Sequence, residues 1–169
     1  MKKMGFSIAL LLLTFGVLLV HSQPSGAAEL YVNARFGFSA ELPDGMTALP
    51  ESENGDGRAF EDPATGLSVH AAASYNVFME DAVSHAARYV PKGVSPLILG
   101  EGKDADDSAL SWHSDGKTFW LRVRCVRTAQ DEDGTLLIFY AQCPTAQESA
   151  CREAVLSSLK SLKPTRPAR

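Results

Sequence analysis

Tryptophan occurs twice and cysteine three times in this chain of 169 residues, and neither supplies a ready-made site. Cys125, Cys143 and Cys151 lack the close paired spacing and the neighbouring histidine of a zinc-binding set. The Gly-x-Ser-x-Gly elbow that presents a serine nucleophile is missing. No segment repeats another, which excludes a solenoid. A basic excess is missing too, and with it the electrostatic footprint of nucleic-acid or anionic-membrane binding. None of these patterns implies a cofactor or a metal.

What is present begins with an address. Lys2 and Lys3 precede an apolar run from Phe6 to Val20, then a polar stretch and the small pair Ala27-Ala28. That order predicts a secretory signal peptide over 1–28, cut after Ala28 or Ala27. The run is shorter than the ~20 residues of a membrane span. No stable membrane insertion is therefore expected after cleavage, and the destination is the periplasm or the extracellular space. Lys2 and Lys3 are the only charges in that segment. The 141 residues from Glu29 onward then carry 14 Lys and Arg against 20 Asp and Glu, a net charge of −6. They suffice for one domain, 29–163, followed by a Pro- and Arg-containing tail, 164–169, expected to be flexible.

Within that domain the turn signals lie close together. Residues 30–42 read as two short strands around Gly37, residues 46–57 as irregular, and Arg58–Glu61 and Leu67–Ser74 as a hairpin. Asn76 has the character of an N-cap, and Phe78, Ala82, Ala86 and Tyr89 form the stripe of an amphipathic helix stopped by Pro91. A strand follows near Pro96–Gly102. Ser108–His113 and Lys117–Arg127 then pair around Ser114-Asp115-Gly116, and the acidic turn Asp131–Gly134 leads to the apolar strand Thr135–Cys143. That last strand, with the run LLIFYA, is expected at the centre of the sheet, covered on both faces. A capping box at Thr145 and Glu148 opens a closing helix with Cys151, Val155, Ser158, Leu159 and Leu162 on one face. Short loops demand antiparallel neighbours. The predicted class is α+β, an antiparallel sheet of hairpins flanked by two amphipathic helices in an α/β/α-type sandwich.

The opening Tyr31–Ser39, followed by Leu42-Pro43, resembles the first strand and turn of small exported bacterial domains of the PsbP/DcrB-like group. Gly55–Phe60 and the ending, an aromatic strand reaching Pro144 before a last helix, are similar to that group as well. The resemblance covers most of the chain after residue 28 and rests on turns and core aromatics. It implies a helix-flanked antiparallel sheet and an accessory, chaperone-like or protein-binding role. It carries over no catalytic residue.

The most suggestive side chains are Trp112, Trp120, Arg122, Arg124 and Tyr140. Alternation puts Trp120, Arg122, Arg124 and Val126 on one face of their strand, and Phe119, Leu121, Val123 and Cys125 on the other. Two arginines beside aromatics suit a partner's carboxylates; they equally suit stems packed over rings at a sheet margin. His70, His85 and His113 stand apart, with no nucleophile and orienting acid gathered around any of them. Cys143 ends a strand and Cys151 faces inward on the next helix, so a Cys143–Cys151 disulfide is expected, with Cys125 a buried thiol. The leading functional expectation is a non-enzymatic exported protein that binds another envelope protein. An immunity-type inhibitor of an envelope-acting toxin and a small envelope hydrolase are the alternatives.

Overall fold

Hairpin loops too short for a crossover govern the topology. The computed structural model describes residues 29–99, 105–128 and 131–165, so the expected signal segment and the last tail residues lie outside it. The elements run β1 (Leu30–Asn33), β2 (Phe38–Glu41), β3 (Thr47–Glu51), β4 (Gly57–Asp62), β5 (Leu67–Tyr75) and α1 (Ala82–Ala87). After these come β6 (Leu97–Ile98), β7 (Asp107–Ser114), β8 (Lys117–Thr128), β9 (Asp131–Pro144), α2 (Glu148–Ser161) and β10 (Lys163–Pro164). One antiparallel sheet of seven strands has the order β3-β4-β5-β9-β8-β7-β6, and β1-β2-β10 form a small second sheet. The class is α+β, dominated by antiparallel strands.

β9 lies at the middle of the large sheet, where its double-sided apolar run led us to expect it. Leu137, Phe139 and Ala141 join one core, while Leu136 and Ile138 join another on the opposite side of the pleat. In the first core α2 buries Cys151, Val155 and Leu159, and Leu162 just beyond the helix is fully buried. The small sheet completes that layer, with the Tyr31 ring edge-on to Phe60 at 5.4 Å. In the second core Ala82 and Ala86 of α1 meet Leu121 and Val123 of β8. Gly57 permits the tight approach of β4 to β5. A Cβ there would lie 2.6 Å from Ala72 Cβ and 2.7 Å from the Ala71 carbonyl oxygen.

Four local expectations need correction. The stretch read as irregular contains β3, paired with β4 through Thr47 and Ala48. Lys163 and Pro164, the latter assigned to the flexible tail, form β10 against β2, and Thr165 N donates to the Gly37 carbonyl. Pro164 is tolerated there because an edge position asks little of its missing N–H. The capping box is absent: residues 145–147 make a 3-10 turn without a side-chain cap, and Glu148 turns to other partners. The first helix is short and is capped by Asp81, which accepts from Ser84 N at 2.6 Å, not by Asn76.

Candidate functional site

The arginine–aromatic group is divided by the sheet. Trp120, Arg122 and Arg124 lie on the α2 side of β8, and Trp120 is fully buried. Arg122 Nε and Nη2 donate to the two carboxylate oxygens of Asp107 at 2.9 and 2.6 Å, and Nη1 donates to the Leu159 carbonyl at 3.0 Å. Arg124 stands 3.3 Å from the same carboxylate and donates to the Leu162 carbonyl at 3.0 Å. These carbonyls belong to the end of α2, where backbone acceptors are orphaned and the helix dipole favours cations. Asp107, directly opposite Arg124 across the β7–β8 pair, offsets the buried charge. The arginines therefore lock α2 onto the sheet, with Arg122 only 8% exposed.

Trp112 and Tyr140 are on the other face. Trp112 stacks on Phe119 with ring centroids 5.2 Å apart, Phe119 meets Tyr140 at 6.1 Å, and Tyr140 meets Tyr89 at 6.0 Å. Partial burial raises the pKa of both tyrosines. The five residues chosen from sequence thus do not share a surface.

A different surface surrounds α1. Val77, Phe78, Met79, Val83, Tyr89, Leu97 and Ile98 are each between 37% and 73% exposed. Asn76 explains part of this. Its buried amide donates to the Glu80 and Asp133 carbonyls at 2.8 and 2.9 Å, and its Oδ1 accepts from Glu80 N at 3.0 Å. The segment 77–79 is pinned at both ends and projects outward, with Met79 at a φ of 51°. The Arg88 guanidinium lies 5.4 Å over the Phe78 ring and pairs with Glu80, whose other oxygen is 3.3 Å from His85. Small Ala82 and Ala86 bring the helix close to the sheet, and the larger apolar residues of the expected stripe stay outside. A groove between α1 and β6 is lined by Val83, Val90, Val94, Ile98 and Leu110. The apolar content of 75–79 was the available sequence signal; its helical spacing pointed to burial instead.

The histidines remain apart. His70 lies on β5 opposite Tyr140, His85 lies in α1, and His113 Nε2 is 2.7 Å from Glu148 Oε2. Thr118 donates to that same carboxylate, and these hydrogen bonds hold Glu148 below the usual carboxylate range. The contact ties the β7–β8 hairpin to the start of α2 and places no nucleophile beside the imidazole. Asp131, in the acidic turn, accepts from Gly134 N and Thr135 Oγ1. Among the described residues no three His, Cys, Asp or Glu side chains converge as metal ligands, and no helix is long and apolar enough to cross a membrane. Cys125, Cys143 and Cys151 are buried free thiols, and Cys143 and Cys151 share one core without the expected bridge between them.

No family model matches the chain, and no curated protein does. Solved structures do. Cyanobacterial PsbP (CyanoP) from Synechocystis sp. PCC 6803 is similar with a TM-score of 0.56 at 13% identity, over 86% of this chain and 98% of that one. The Saccharomyces cerevisiae Ran-binding protein Mog1p is similar with a TM-score of 0.53 at 10% identity, over 82% and 96%. LpqN, involved in cell envelope biogenesis of Mycobacterium tuberculosis, aligns over 85% and 88% at 14% identity with a TM-score of 0.45. The chain has the fold of a PsbP-like domain, in agreement with the resemblance carried by its opening strands and final helix.

Proposed function

We propose that this chain is an exported, non-catalytic accessory domain that works by binding another protein of the cell envelope. The carrying observation is the concentration of exposed large apolar side chains around α1. Monomeric surfaces rarely gather so many unless they dock on something. The rigid base of segment 77–79 lowers the ordering cost of such docking. The likeness to Mog1p, a Ran-binding protein, supports a fold that can present a binding surface. In the layering proposed here α2 and α1 cover opposite faces of the sheet, and the incompletely covered α1 face is the working one. Export rests on the amino-terminal pattern of residues 1–28, and the acidic balance after it argues for a protein partner over nucleic acid.

The test uses the mature chain from Glu29, immobilised against an envelope extract, beside a Phe78→Ser/Val83→Ser variant. Selective retention of a protein by the wild type, lost in the variant at an unchanged melting temperature, is the expected result. Equal retention by both chains removes the reading.

A further inference from the structure

We propose that Cys143 and Cys151 are a disulfide pair that, once oxidised, pins the first turn of α2 to the end of β9 in the exported protein. Both residues lie in one core, almost fully buried at 1% and 3% exposure, and the Cys143 thiol donates to the Pro144 carbonyl at 3.3 Å beside its neighbour Cys151. The turn at 145–147 folds α2 back over the strand that has just ended, so eight steps of chain return Cys151 to the core that holds Cys143. Cys125 is excluded by the sheet itself. It lies opposite Leu136, seven positions along β8 from the Thr118 that faces Cys143, and it belongs to the core on the other side. At ~3.3 Å per residue this far exceeds the ~7 Å Cα separation that a disulfide spans.

The chemistry fixes when the bond forms. Two thiols give up two protons and two electrons as the S–S bond closes. The electrons pass to the disulfide of an envelope thiol–disulfide oxidase, which leaves as a dithiol. Exchange proceeds through a thiolate. In the folded domain burial, together with the neighbouring Cys151, pushes the Cys143 thiol up to about 12. Oxidation therefore belongs to the interval after export and before α2 docks. Cys125, its thiol also raised by burial, stays reduced and shielded, which accounts for the odd cysteine count.

The experiment takes the exported mature protein, denatures it without reductant and labels it with a maleimide mass tag. One tag per chain is expected, and three after reduction. Residues 128–152 form a single tryptic peptide holding both Cys143 and Cys151, while Cys125 falls outside it. Further cleavage after Glu148 should yield two peptides joined until reduced. Reductant should lower the melting temperature by roughly 5–10 °C, as expected for removal of one short-loop bridge. Three tags without reduction, or a bridge that includes Cys125, overturns the proposal.

Discussion

The two faces of the large sheet use similar residues to opposite ends. On the α2 side a helix of 14 residues buries a full stripe, Trp120 has no exposed surface, and even the arginines are spent on the helix end. On the α1 side a helix of six residues buries two alanines and leaves Val83, with Phe78 before the helix and Tyr89 after it, exposed. The first face is saturated, so changes there should cost stability. The second is open, so changes there should cost binding. That division separates a core from a surface without reference to any partner.

Trp120→Ala should break the α2 face most severely, by about 3–5 kcal/mol in chemical denaturation, because a large buried ring leaves a cavity. Arg122→Ala comes next. It strands most of the Asp107 carboxylate and the Leu159 carbonyl, at a cost of about 3 kcal/mol. If both variants retain wild-type stability, the α2 face is not the anchor described.

Glu148→Gln sharpens the same side with a smaller effect. The Glu148 carboxyl is held below its ordinary pKa by His113 and then Thr118. Its contribution is present above the unfolded value, near pH ~4.3, and is lost as pH falls through the folded value. The variant should therefore lose less stability on acidification than the wild type, by under ~1 kcal/mol for so exposed a pair. Identical acid titrations of stability would remove the effect. On the opposite face Phe78→Ser should shift stability by no more than ~0.5 kcal/mol. A large loss there would mean that segment 77–79 is part of the core.

The α2 face was largely legible in sequence. Cys151, Val155, Ser158, Leu159 and Leu162 share a helical stripe, β8 alternates cleanly, and β9 is apolar on both sides, so local periodicity agrees with tertiary placement. The α1 face was not. Asn76 before an apolar–polar alternation has the pattern of an N-cap, yet its amide is committed to the β8–β9 hairpin 57 residues away. Helical spacing reports that apolar residues share a side; it does not report whether anything covers them. Likewise Arg122 and Arg124 look available along an isolated strand, and only the docking of α2 takes their donors. Pro164 argued for a free tail because the pairing that holds it comes from β2, more than a hundred residues earlier.

The central claim is that the α1 face meets a partner while the α2 face does not. A photo-crosslinking side chain placed at Phe78 or, separately, at the exposed Ser157 of α2 tests it directly in the exported protein. The account predicts a discrete crosslinked protein from position 78 and none from position 157, with Val83→Ser weakening the first. Crosslinks from position 157 alone, or equal yields from both positions, would contradict it.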